Sequence, residues 1–122
     1  MGIITVPIQI SVADGGETLE IEAIVDTGSF YTMLPGRLLR DLGVVPIGTR
    51  RLSLADGRRI LMNYGRAWVT VEGENEVTLV VFGEDDGPAL LGAYTLQGLA
   101  LAVDPTEERL VPSDVIMYRL AG

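Results

Sequence analysis

Most of this chain alternates apolar and polar residues with a period of two, and Gly, Asp and Pro interrupt the alternation at short intervals. Such a pattern builds half-buried strands joined by tight turns, and it leaves little room for long helices. Ile4-Thr5-Val6-Pro7-Ile8-Gln9-Ile10 alternates toward Asp14-Gly15-Gly16, and Thr18-Leu19-Glu20-Ile21-Glu22-Ala23 alternates after it, which reads as a β-hairpin. Further strands are expected over Thr49 to Leu54, Arg59 to Val71 and Glu76 to Phe82, with turns at Asp56-Gly57 and Glu72-Gly73-Glu74. Pro35 to Gly43 reads as a short helix: Pro35 sits near its start, Leu38, Leu39 and Leu42 share a face, and Gly43 stops it. A short apolar strand, Ala89-Leu90-Leu91, is followed by Gly92 and a helix of one or two turns through Gln97. Beyond Leu99 the alternation weakens around turns at Asp104-Pro105 and Pro112-Ser113. The 122 residues have no linker or low-complexity segment, so the chain reads as one domain, residues 1–122, able to bury roughly two-thirds of its unfolded surface.

The apolar run Ile21 to Val25 ends in Asp26-Thr27-Gly28, and this tripeptide occurs once. A single carboxylate ionised at neutral pH can act only as a base, whereas two facing carboxylates share a proton, so that one is a base and the other an acid. Peptide hydrolysis by carboxylates therefore needs a second Asp26 from a second chain. Gly28 lacks the Cβ that would keep two such loops apart across a two-fold axis, and Thr27 offers a hydroxyl beside it. By itself the tripeptide also suits an ordinary strand-to-turn junction.

Absences narrow the chemistry further. With no His and no Cys, the chain cannot build a Ser-His triad, a Cys nucleophile, a Cys/His zinc site or a disulfide. All basic residues are Arg, which removes Schiff-base lysines and Ser-Lys dyads as well. A formal charge of -8 and a pI near 4.3 oppose a nucleic-acid partner. No apolar run approaches the ~20 residues of a membrane span, and the first residues lack a charged signal region, so no membrane partner is expected and the reading is cytoplasmic. The hydrophobic fraction of 48% is high for so short a chain, which suggests apolar surface covered by a partner.

Several segments together resemble one family, the retropepsin-like aspartic proteases, in particular the small single-domain prokaryotic members. They are Ala23 to Ser29, Met33-Leu34-Pro35, Leu54-Ala55-Asp56-Gly57-Arg58, Tyr64-Gly65-Arg66-Ala67, Leu90 to Leu96, Leu101 to Pro105 and Leu110-Val111-Pro112, in the family's order and approximate spacing. The resemblance implies an all-β, mainly antiparallel fold, a closed sheet or barrel with one or two short helices, assembled as a homodimer. It also implies an extended peptide substrate, no cofactor and no metal. Asp26 is then the catalytic residue, one from each subunit, and Thr27, Gly28 and Ser29 complete the active-site loop, with Thr27 interlocking across the dimer. Leu90, Leu91 and Gly92 resemble the family's second signature, in which the small Gly lets a strand pass close to the active-site loop. Leu54, Ala55, Asp56, Gly57 and Arg58 fall where the family places its flap, and Asp-Gly suits a type I′ hairpin turn. Arg58 and Arg59 would then add positive charge near the cleft, and with it a mild preference for acidic substrate residues.

Two positions depart from the retroviral pattern. Phe30 and Ala93 stand where an acidic residue and an Arg brace the viral dimers, so the interface is expected to differ in detail. Glu84-Asp85-Asp86 matches no EF-hand spacing and reads as a solvated acidic turn. Trp68, Phe82 and Tyr64 lie in strand patterns and are expected in the core or cleft wall. The expected activity is aspartic endopeptidase; the rival is the same fold serving as a catalytically silent dimerisation or peptide-binding module.

Overall fold

In the computed structural model, which describes residues 3–114, the chain forms nine strands and two short helices. In order they are β1 (Thr5–Ser11), β2 (Leu19–Val25), β3 (Thr32–Pro35), α1 (Gly36–Leu42), β4 (Gly48–Ser53), β5 (Arg59–Val71), β6 (Glu74–Gly83), β7 (Leu90–Leu91), α2 (Ala93–Gly98), β8 (Leu101–Asp104) and β9 (Arg109–Pro112). Seven strands make one sheet in the order β1-β2-β7-β3-β6-β5-β4, and a further pairing of β1 with β5 closes six of them into a barrel. β4 stays outside the ring, paired only with the first half of β5, while the second half of β5 pairs with β6. One 13-residue strand thus serves both the barrel and the projecting hairpin β4–β5.

The alternation places the core. Val6, Ile8 and Ile10 of β1 point inward while Thr5, Pro7 and Gln9 are exposed, and Ala67, Val69 and Val71 of β5 are buried in the same way. Ile10 faces Val69 where the barrel closes, and neither has any exposed surface. α1 buries Leu39 completely and packs Leu38 and Leu42 against the core, and Gly43 ends it in the left-handed region with φ of 91°.

The expected hairpins and both helices are present, and most strand pairs are antiparallel. Two pairs, β2–β7 and β3–β6, are parallel. β3 was not expected as a strand. Its four residues span too short a stretch to display an alternation, and pairing with β6 and β7 holds it extended. The turn chemistry also differs from expectation. At Asp56-Gly57 a type I′ turn would require positive φ at both residues, but only Gly57 has it, at 88°. Gly57 N–H donates to Leu54 O at 2.9 Å and Leu54 N–H to Arg58 O at 2.8 Å, the pattern of a type I turn closed by a glycine bulge. The type I′ geometry occurs instead at Glu72-Gly73, with φ of 53° and 80°. β8 and β9 form the hairpin turning at Asp104-Pro105; the tail from residue 115 lies outside the described residues. Among the described residues, no helix is long and apolar enough to cross a membrane.

Candidate active site

Asp26 directly follows β2, and the parallel pairing of β2 with β7 decides what stands beside it. Ile24 and Val25 register with Leu90 and Leu91, and the Asp26 N–H donates to Leu91 O at 3.0 Å. The half-buried carboxylate is then oriented from its own loop: Oδ1 accepts the Gly28 N–H at 3.1 Å and Oδ2 the Ser29 hydroxyl at 2.9 Å. The Ser29 N–H returns to Asp26 O at 3.1 Å, so the loop is a closed turn. Thr27 and Gly28 are exposed on the outside of this turn.

The loop is anchored from behind by α2. Ala93 N–H donates to Ser29 O at 2.9 Å and Tyr94 N–H to Phe30 O at 2.8 Å, so donors left free at the helix start hold the active-site loop. Gly92 makes this approach possible. A Cβ there would overlap the Tyr31 carbonyl and lie 2.8 Å from Phe30 O, which is backbone that cannot swing aside. Leu91 is fully buried, and Leu90 reaches the cleft.

Behind the anchor lies a buried chain of hydroxyls. The Gly92 N–H donates to Thr32 Oγ1 at 3.1 Å; Thr32 Oγ1 and Thr95 Oγ1 are 2.6 Å apart, and Thr95 Oγ1 and Thr78 Oγ1 2.9 Å. β3, α2 and β6 are thereby tied together beneath the Asp26 turn. No chemical role was expected for these three threonines. Their only signal in the sequence is a hydroxyl at positions whose strand and helix neighbours are apolar.

In front of Asp26 opens a cleft of about 650 Å³ between the active-site loop and the β4–β5 hairpin. The loop and β3 contribute Gly28, Ser29, Phe30, Tyr31 and Met33; the hairpin contributes Arg51 to Ala55 and Met62; Val81 and Leu90 close the inner wall. Of the expected flap residues, Leu54 and Ala55 line the cleft, whereas Asp56, Gly57 and Arg58 form the hairpin tip outside its lining. The expected positive charge moves accordingly. Arg58 is bound to Asp56 at 2.7 Å, and this partner, through the Arg58 N–H and guanidinium, holds the Asp56 carboxyl below the usual aspartate range. The arginine in the cleft lining is Arg51, not Arg58 or Arg59.

Arg50 connects hairpin and loop. Its guanidinium lies 4.2 Å from the centre of the Tyr64 ring, and its pKa is raised chiefly by the Tyr31 side chain and further by Tyr64. Phe82 is buried in the core, and Trp68 lies half-buried on β5 away from the cleft. In the acidic turn, Asp85 pairs with Arg40 at 2.7 Å and Asp86 with Arg37 at 4.0 Å, so two of its carboxylates face α1. Among the described residues, no cluster of acidic side chains is placed to hold a metal ion.

A family model described as aspartyl protease matches residues 6–95, a span running from β1 through the start of α2 and including Asp26, the hairpin and Gly92. A search of curated proteins finds no match. With its mostly β fold and a match covering most of its length, the chain belongs to the retropepsin-like aspartyl protease family.

Proposed function

We propose that the protein is an endopeptidase whose catalytic centre is completed by Asp26 of a second copy. The observation that carries this reading is the Asp26 carboxylate, oriented by Gly28 and Ser29 in the lining of a cleft of about 650 Å³. A peptide lies between the loop and the β4–β5 hairpin, held by backbone hydrogen bonds, with apolar side chains against Met33, Leu52, Met62 and Leu90. A water sits between the two carboxylates. The ionised one takes a proton from the water as its oxygen attacks the scissile carbonyl carbon, and the protonated one donates to the carbonyl oxygen. The resulting gem-diol collapses as the nitrogen gains a proton and the C–N bond breaks, which releases an amine and a carboxylic acid and returns the shared proton to the pair. No covalent intermediate with the protein is required, and neither is a metal. The hairpin tip closes over the peptide and excludes bulk water.

Cleavage of a mixed peptide library between pH 3 and 9 at high protein concentration, with Asp26→Asn as the comparison, tests this reading. Cleavage on the acid side of neutrality that disappears in Asp26→Asn is the expected result. A rate still rising at pH 9 would contradict a shared proton, because a fully ionised pair has lost its acid. A folded dimer of the wild type that cuts nothing would instead make the fold a peptide-binding or dimerisation module.

A further inference from the structure

We propose that the cleft takes extended peptides in which apolar and acidic side chains alternate, the acidic ones bound by Arg51 and Arg59 on the outer face of the β4–β5 hairpin. The inference rests on the peptide-binding cleft proposed above and adds the class of sequence that fits it.

β4 borders the cleft by its edge. It ends the sheet, paired only with β5, and the consecutive residues Arg51 to Ala55 all line the cleft. Side chains of a strand alternate between its faces, so a consecutive run lines one space only along the strand's edge, where backbone groups stand unpaired. An extended peptide that pairs with this edge continues the hairpin, and its own side chains alternate between the hairpin's two faces.

Those faces differ in chemistry. The register pairs Leu52 with Ile60 and Arg50 with Met62, so Leu52 and Met62 share one face, the inner one, and both line the cleft with Met33. The outer face carries Arg51 opposite Leu61 and Ser53 opposite Arg59, which makes Arg51 and Arg59 diagonal neighbours about 7 Å apart. Both arginines are exposed, and among the described residues neither guanidinium lies within 4.0 Å of a carboxylate. The other arginines near them are engaged: Arg50 lies on the Tyr64 ring, and Arg58 is held by Asp56 at 2.7 Å. Two cations set side by side without a counter-charge, in a chain whose 17 acidic residues outnumber its 9 arginines, form a place for an incoming anion.

Charge also fixes the phase of the peptide. The formal charge of -8 repels an acidic peptide as a whole, but each exposed charge is screened beyond about 8 Å at physiological ionic strength, so the nearest charges decide. Along the β4 edge these are Arg51 and Arg59 on the outer face, whereas Asp26 is the one carboxylate of the cleft lining. Acidic side chains are therefore favoured outward and disfavoured inward. Apolar residues face Leu52 and Met62, and Asp or Glu stands at the positions between them.

The test is fluorescence anisotropy at pH 7 with labelled short peptides on the full chain carrying Asp26→Asn, which leaves the peptide whole, while cleavage by wild type is followed in parallel. Three peptides alternate Leu with Glu, Gln or Arg, and a fourth holds the Leu and Glu residues in two separate blocks. Exposed ion pairs contribute modestly, so the alternating Glu peptide should bind about fivefold tighter than the Gln peptide at 0.1 M NaCl, and equally at 1 M. The block peptide should bind no tighter than the Gln peptide. Adding Arg51→Gln with Arg59→Gln should erase the preference for Glu, and Arg51→Glu with Arg59→Glu should turn it toward the Arg peptide, with circular dichroism to check folding. Glu and Gln peptides bound alike at low salt, a Glu preference that survives the loss of both guanidiniums, a block peptide bound as tightly as the alternating one, or no binding of any peptide would each overturn the proposal. Failure of the catalytic reading looks different: a Glu peptide bound with this salt and variant behaviour but left uncut by wild type would sink the protease and leave the recognition standing.

Discussion

At the residue scale, the candidate site depends on groups outside the cleft lining. Gly92 permits the active-site loop to rest on the start of α2, and Gly92→Ala forces a methyl into the Tyr31 backbone. Overpacking against an immobile neighbour should cost about 3 kcal/mol, to be read from urea denaturation. Thr95 is bonded to both Thr32 and Thr78 in a buried setting. Thr95→Val deprives the Thr78 hydroxyl of its partner and should cost about 2 kcal/mol, while Thr95→Ser should recover most of it. An equal loss in both variants would place the effect in packing rather than in the hydroxyl. Asp26 and Gly92 were singled out by their place in a family's pattern of segments, since an Asp or a Gly at a strand end is commonplace by itself. The threonines were not, since a buried hydroxyl differs from a buried valine only by the partners that the fold brings to it.

At the element scale, the β4–β5 hairpin and the acidic turn are tied by carboxylates whose pKa values lie below the ordinary range. For Asp56 the causes are the Arg58 N–H and guanidinium, and for Asp85 chiefly the Arg40 guanidinium. A depressed folded-state pKa stabilises above the unfolded value, and the contribution is lost as pH falls through the folded one. The tip pairing should therefore persist at acidities where unpaired aspartates are already protonated and vanish only below that. Amide exchange at Leu54 to Arg59, followed from pH 5 downward, should show protection lost later in wild type than the ordinary aspartate range predicts. Asp56→Asn should exchange faster already at pH 5. The hairpin itself was legible from its alternation and its Asp-Gly. Its turn type was not, because an Asp-Gly pair fits either a two-residue turn or a bulged one, and the registry of Ser53 with Arg59 decides between them.

At the scale of the whole molecule, closure of the barrel positions the Asp26 loop, and the proposed function adds the pairing of two copies. Ile10 and Val69 face each other where β1 meets β5, both fully buried. Ile10→Ala removes a large side chain at that seam and should cost about 3 kcal/mol in denaturant unfolding. On the proposed two-copy site, peptide cleavage below the dimer Kd should rise with the square of chain concentration and become linear above it. Strict proportionality down to the lowest concentrations of a demonstrated monomer would exclude a shared centre.

Local periodicity and residue chemistry are properties of the chain itself. They were enough to determine most of the strands and both short helices, the absence of histidine, cysteine and lysine chemistry, and the presence of a single Asp-Thr-Gly. Which strands meet is a property of non-local pairing, and only the tertiary structure decided it. The parallel register of β2 with β7 sets Gly92 behind the Asp26 turn, and β3 holds its extended form only between its neighbours. The same packing gathers Phe30, Tyr31 and Tyr94 on one face from segments more than sixty residues apart, as in the 5.5 Å approach of Phe30 to Tyr94. No local pattern encodes such a contact, because its energy exists only once the intervening chain has closed the barrel.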